Sequence, residues 1–412
     1  MKKSWVPIPE GSDFPLENLP YGIFQINRQH PRAGVAIGEY ILDLHAVADL
    51  GLLEEIPNAA EVFGCSYLNA FMALGKPVWQ VARQKITELL SDGDELLQPY
   101  QSQVLVRQAD ATLRMPVQIG NYTDFYSSIE HATNVGKQFR PDNPLLPNWK
   151  HLPIAYHGRA SSIVVSGTNI HRPKGQRKAA DADLPTFGPS KRMDFELEVA
   201  FVIGKETALG QTVSTSQAEE HIFGFFLFND WSARDIQGWE YQPLGPFLGK
   251  NFASSISPWI VTLDALEPFR TGSPVQNPAV LPYLQYEGEH SFDIQLEVAI
   301  QPEGVAEQVV CRSNFNYLYW NICQQLAHHT VNGCNLCIGD VMASGTISGE
   351  SADSWGSLLE LTEGGRKSLI FSDGVERKFL EDNDTVVMRG FCEKDGLRIG
   401  FGEVRGKLLP SL

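Results

Sequence analysis

Residues 222–228 read IFGFFLF, an apolar run with the length and aromatic content of a strand, and it delivers the chain into Asn229 and Asp230. The stretch that follows, residues 230–250, is DWSARDIQGWEYQPLGPFLGK. Asp230 is placed to cap a helix starting there. Counted from it, Asp230, Arg234, Gln237 and Tyr241 share one helical face and all are polar. Lys250 comes after a Pro/Gly-rich turn over residues 243–249. An exposed helix face with an Asp–Arg pair has the same spacing and would mean little. Two features argue otherwise. Trp231 and Trp239 require packing on other sides of the helix, and an ammonium among glycines and aromatics is costly without a partner. The stretch reads as a site at the edge of a core.

A chain of 412 residues has room for a large core and is expected to form two domains. Its formal charge of −16, with no basic stripe, argues against nucleic-acid or anionic-membrane partners. The N-terminus, MKKSWVPIPEGSDF, lacks the apolar segment of a signal peptide, and no run is long enough to span a bilayer. The expected location is cytoplasmic. Six scattered cysteines are too few for a disulfide scaffold. Cys334 and Cys337 form a lone CxxC; zinc would need two more ligands, and the neighbouring His328 and His329 read instead as the end of a helix over 313–329.

Residues 1–117 read as a separate small α+β domain, structural or a lid, with short strands in YGIFQI, GVAIGEYILDL and VLVRQ. Between them, residues 66–90 have helical periodicity broken at Gly75-Lys76-Pro77. From residue 118 to 412 short strands separated by Gly/Pro-rich loops dominate, among them SSIVVSG, FELEVAFVIG, FDIQLEVAIQ and DTVVMRGF. Lys394-Asp395-Gly396 marks a hairpin between the last two strands. This pattern predicts a mixed, β-rich α+β protein whose larger domain is a β-roll or β-sandwich, not a doubly wound parallel sheet. Residues 174–192 are expected to be a surface loop.

Three further clusters carry chemistry. In DFELEVA the strand period puts Glu196 and Glu198 on one face, roughly 6–7 Å apart. Half-exposed strands often look like this, but Ala200 and Val202 continue that face as apolar and set the glutamates at the rim of a core. Such oxygen ligands suit Mg²⁺ or Ca²⁺ better than zinc. Residues 119–140 bring Asp124 as a further hard-metal ligand, Tyr126 as a donor, Arg140, and His131 as a candidate general base. Tyr156 follows in YHGR. Finally GDVMASGTISG, over 339–349, has small residues that permit close backbone approach to a ligand, and Glu360, read in a short strand from Ser357, is positioned to orient a histidine. No GxSxG elbow is present, which disfavours a Ser-His-Asp hydrolase.

Taken together, DFPLENLPYG, YTDFYSS, HATNVG, LLPNW, YHGRASSIVVSGT, ELE, NDWSARDIQ, WEY, PLGPFLGK, CRSNF, HHTVNGCNL and ASGTISG resemble the fumarylacetoacetate hydrolase family over nearly the whole chain. The resemblance implies hydrolysis of the C–C bond of 4-fumarylacetoacetate to fumarate and acetoacetate, the last step of tyrosine and phenylalanine catabolism. It implies metal ligation by Asp124, Glu196, Glu198 and Asp230, and a second, structural Mg²⁺ near Lys250 and Ser254, where the family carries Thr in place of Ser254. His131 would activate water, oriented by Glu360, while Arg234, Gln237 and Lys250 stabilise the oxyanion. Tyr126, Arg140, Tyr156, Gln237, Tyr241 and Thr346 would hold a small dicarbonyl carboxylate. Ca²⁺ and Mg²⁺ are the implied cofactors, and a homodimer with an SH3-like N-terminal domain and a β-roll catalytic domain is the implied architecture. Acylpyruvate hydrolysis, oxaloacetate decarboxylation and a metal-stabilised binding protein are the competing readings.

Overall fold

The computed structural model describes residues 3–412, apart from the side chains of Phe139 and Asp373. The N-terminal unit is a five-stranded antiparallel sheet in the order Leu105–Arg107, Tyr40–Asp43, Arg32–Ile37, Tyr21–Gln25, Thr112–Arg114. The helical segment breaks where Gly75 and Pro77 predict: Asn69–Met72 is one short helix, Gly75 takes φ +84°, and Lys76–Leu90 is the next. Pro77 fits its first turn, where an amide N–H has no helical partner. Trp79, Ala82, Ile86 and Leu89 form its buried stripe.

The larger unit holds two sheets. One has eight strands, ordered Ala155–Gly158, Tyr122–Phe125, Val341–Ala343, Leu197–Ile203, Ile222–Asp230, Ser254–Ile256 and Ile163–Val165, with Val261–Thr262 also paired to Ile222–Asp230. The other has five: Gln308–Asn314, Gln295–Gln301, Thr385–Lys394, Leu397–Leu409 and Ile170–His171. The expected β-rich architecture, with a small N-terminal domain before a larger rolled one, is the one observed.

The apolar run at 222–228 is explained by burial on both sides. Phe225 and Leu227 face the core shared with the five-stranded sheet, among Val298, Met388 and Val404. Phe223, Phe226 and Phe228 face the N-terminal unit, where Phe223 lies edge-on to Trp79 at 5.0 Å and stands 5.8 Å from Tyr21. One strand is thus the wall between two cores. A register shift at Val202/Ile203 lets Phe223 and Phe226 share a side despite their odd spacing.

Four local expectations are corrected. Asp230 does not cap a helix: it ends the strand, held extended by pairing with Ser254. Ser232–Ala233 then pairs with Met193–Asp194, so the helix starts only at Arg234 and runs to Glu240. Residues 174–192 are not a plain loop, because Lys174–Arg177 and Thr186–Pro189 form a hairpin whose Gly175 lies flat against Ile236. The helix expected over 313–329 is only Ile322–Thr330, opened by an Asn321/Gln324 capping box, since Gln308–Asn314 is drawn into the five-stranded sheet. Glu360 lies on a helical turn, Leu358–Leu361, capped by Ser357, and not on a strand. Among the described residues no helix is long and apolar enough to cross a membrane.

Candidate active site

Four strand-borne or strand-flanking carboxylates converge. Asp124 comes from Tyr122–Phe125, Glu198 from Leu197–Ile203, Asp230 from the end of Ile222–Asp230, and Glu196 from the residue before its strand, bridged to Ser357. Their ligand atoms lie within 4.8 Å of one another, and none of the four is more than 5% exposed. Ala200 and Val202 continue the Glu198 face into the N-terminal core, as the sequence pattern requires.

Two cations face this cluster. The Lys250 ammonium donates to Glu196 Oε2 and, at 2.6 Å, to Asp230 Oδ2. Burial works against its charge, but Asp230 and Glu196 outweigh burial and hold the amine above the usual lysine range. A protonated amine has no lone pair, so the Lys250 side chain here is a counter-charge and not a metal ligand. The hydroxyl of Ser254 likewise donates to Asp230 Oδ1 at 2.7 Å, and Tyr156 donates to Asp230 Oδ2 at 3.1 Å. Arg234 forks: Nε meets Asp194 Oδ2 and Nη1 meets Glu196 Oε1, each at 2.8 Å, with Gln237 Oε1 3.3 Å from Nη1. Its Nη2 is buried without a partner among the described residues. Burial would raise the Glu196 pKa, but Lys250 and Arg234 pull it well below the usual range. Asp124 and Glu198 go the other way, raised well above it by burial and by their carboxylate neighbours, and Asp230 is raised by burial with Lys250 opposing.

His131 sits on Ile129–Phe139, whose Ser128 cap accepts the His131 amide at 3.2 Å. Its Nδ1 lies 2.7 Å from Glu360 Oε2. Glu360 is saturated by Ser348 at 3.0 Å, Ser357 at 2.9 Å and Asn134 at 3.0 Å. Burial pushes its pKa up, yet His131 and these hydrogen bonds bring it below the ordinary value. The Tyr126 ring stands edge-on to His131 at 5.3 Å. Thr346 Oγ1 is buried without a partner among the described residues, next to Gly345, whose N–H reaches Glu198 Oε2 at 3.1 Å. Arg140 and Tyr241 are exposed, and neither is hydrogen-bonded to the carboxylate group: Arg140 Nη2 donates to the Pro144 carbonyl, and the Tyr241 hydroxyl accepts from Gln242.

The cluster fits a divalent cation. Among the described residues, five carboxylates, counting Asp194, face only two side-chain cations, and Asp124 Oδ1 and Glu198 Oε1 are buried without hydrogen-bond donors. All its oxygens are hard donors of the kind that hold Ca²⁺ or Mg²⁺. A second group, Glu219, His290 and Cys323, does not fit one, because Arg270 and His290 already saturate Glu219 and both His290 nitrogens are engaged. His328 and His329 are also occupied, by Tyr283 and Thr123 at 3.0 Å each.

The model of the fumarylacetoacetate (FAA) hydrolase C-terminal region matches residues 121–408, and that of the fumarylacetoacetase N-terminal region matches residues 17–116. The chain belongs to the fumarylacetoacetate hydrolase family. As a member of that family it is a hydrolase. It is 54% identical to the fumarylacetoacetase of Caenorhabditis elegans over 416 residues, and 50% identical to that of Homo sapiens over 415, each alignment covering 99% of both chains. Among solved structures, a fumarylacetoacetate hydrolase from Exiguobacterium antarcticum shares the fold at a TM-score of 0.54 and 18% identity, covering 95% of this chain and 99% of that one. A maleylpyruvate hydrolase from Sphingobium sp. SYK-6 does so at 0.52 and 16%, covering 95% and 100%.

Within this member of the fumarylacetoacetate hydrolase family, the residues that sequence reasoning did not single out are Asp194, Asn134, Ser348 and Ser357. Asn134 was findable, since it lies three residues after His131 on the same helical face. Asp194 continues the alternation of Glu196 and Glu198 backwards, although the ladder is interrupted between them. The serines carry no sequence signal, being two among many in a Gly/Ser-rich segment.

Proposed function

We propose that this hydrolase cleaves the C–C bond of 4-fumarylacetoacetate to give fumarate and acetoacetate, with Ca²⁺ or Mg²⁺ held by Asp124, Glu196, Glu198 and Asp230. The observation that carries the reading is identity of 50–54% over both domains to proteins named fumarylacetoacetase. Cytoplasmic residence, a homodimeric state and a place at the end of tyrosine and phenylalanine breakdown belong to the same proposal.

The chain's own groups suit the chemistry. With Nδ1–H directed at Glu360, His131 presents the Nε2 lone pair and can take a proton from water. The resulting hydroxide adds to the carbonyl next to the scissile bond. Arg234 Nη2, free and buried, and the Lys250 ammonium are donors for the oxyanion that develops, and Gln237 lies beside them. Collapse of the adduct breaks the C–C bond, leaving fumarate and the acetoacetate enolate, which takes up the proton held on His131. A divalent cation held by Asp124, Glu196, Glu198 and Asp230 would supply Lewis-acid stabilisation of the developing negative charge. Tyr126, beside His131, Tyr156, on Asp230, and the unpartnered Thr346 hydroxyl are suited to the carbonyl oxygens, and Arg140 and Tyr241 to the substrate carboxylates.

Product analysis tests this: fumarate and acetoacetate should appear in equal amounts as fumarylacetoacetate disappears. Turnover of acylpyruvates with an inert fumarylacetoacetate would reject the substrate.

A further inference from the structure

Asp194 is fully buried and its carboxylate is shared between two arms of the site. Oδ2 accepts from Arg234 Nε at 2.8 Å and from the Leu359 amide at 2.9 Å. Oδ1 accepts from the Leu358 amide at 2.7 Å and from the Phe195 amide at 2.8 Å. Leu358 and Leu359 open the helical turn that carries Glu360, whose own carboxylate orients His131. The two arms come from distant parts of the chain and both contact this one side chain. Asp194 also decides what Arg234 can present. With Nε on Asp194 and Nη1 on Glu196, only Nη2 is left, buried and unpartnered among the described residues.

We propose that Asp194 is a positioning residue that locks the Arg234 guanidinium and the Glu360-bearing turn into one register, so that the oxyanion donor and the His131 base are set together. This rests on the diketone-hydrolase reading above. A carboxylate with four donors fixes both arms more tightly than either would fix the other, because each donor has one best direction and the anion satisfies all of them. An amide in its place would turn an NH₂ toward at least one N–H and push one arm away.

The test is steady-state hydrolysis of fumarylacetoacetate by wild type, Asp194→Asn and Asp194→Glu, with saturating Ca²⁺ and at a temperature where circular dichroism shows each folded. Both variants are expected to lose about 10- to 100-fold in kcat, as is typical when an outer partner of a site is removed. Ca²⁺ affinity by calorimetry, measured for each variant, fixes the Ca²⁺ concentration that keeps the site saturated, because loss of an outer partner can weaken metal binding by about 10- to 100-fold. The acid limb of the pH profile should move as well, since the Glu360–His131 pair is disturbed. A merely structural Asp194 would lower the melting temperature and leave kcat and the pH profile of the folded enzyme alone, and that result overturns the inference; Asp194→Glu keeps the question open to test should the amide not fold. If wild type itself is inert, the substrate reading has failed, and a second readout decides. In Asp194→Asn the Arg234 Nε–H and the Leu358 and Leu359 amides should lose exchange protection together, whereas loss in one arm alone contradicts the coupling.

Discussion

His131 Nδ1 lies 2.7 Å from Glu360 Oε2, and that single distance sets the chemistry of the ring. In the proposed function the proton is directed to Nδ1, which leaves the Nε2 lone pair for water. Glu360→Gln keeps the shape but offers an amide to four donors. With His131 as the proposed general base, its kcat should fall about 10²- to 10⁴-fold, the range expected when such a base loses its orienting carboxylate. The Glu360 pKa is depressed in the folded state, so its ionised form adds stability above the unfolded carboxylate pKa, which is lost as pH falls through the folded value. Denaturant titration should therefore show wild type more stable than Glu360→Gln at neutral pH, with the gap closing below about pH 4.

Cation removal should have a pH dependence of opposite sign. Asp124 and Glu198 have folded pKa values raised by burial and mutual repulsion. Their contribution to stability is present below the unfolded carboxylate pKa and is lost as pH rises toward the folded values. Chelated protein should thus weaken on going from about pH 5 to pH 8, and Ca²⁺ should restore more stability at the higher pH. Thermal melts with chelator or Ca²⁺ at both pH values check this; a Ca²⁺ effect that shrinks with rising pH would contradict it.

Lys250 is the counter-charge within this group. Lys250→Met leaves Glu196 and Asp230 buried with one cation fewer, a change that costs about 3–5 kcal/mol when a buried pair is broken. Urea unfolding should show the loss in chelated protein, and Ca²⁺ should recover a larger share of it than in wild type.

Gly345 takes φ +75°, and a Cβ there would stand 2.2 Å from the Phe125 carbonyl oxygen. Its N–H also holds Glu198. Gly345→Ala is expected to destabilise by about 2–4 kcal/mol, through strain and backbone displacement, and to weaken Ca²⁺ binding measured by calorimetry.

Much of this was legible from strong local patterns. The Glu196/Glu198 face followed from strand period and from Ala200 and Val202, and the helix break at residue 75 from a glycine and a proline. The strand at 222–230 was legible too, but not the placement of Asp230 on it, because pairing with Ser254 overrides a good N-cap signal. Short elements were the least readable. The turn holding Glu360 depends on Ser357 and Asp194, 164 residues before Leu358, and the 174–189 hairpin depends on packing against Ile236. Local propensity contains neither contact. Asp194 escaped notice for the same reason, since its four donors meet only in the folded chain.

The most direct measurement of the central claim is loss of fumarylacetoacetate absorbance with purified protein, for wild type and His131→Ala, each with chelator and after Ca²⁺ is restored. A base working beside a carboxylate-held cation predicts turnover by wild type with Ca²⁺ and loss of it both on chelation and in His131→Ala, with Ca²⁺ rescuing only the wild type. Undiminished turnover in His131→Ala, or in fully chelated wild type, would contradict that account.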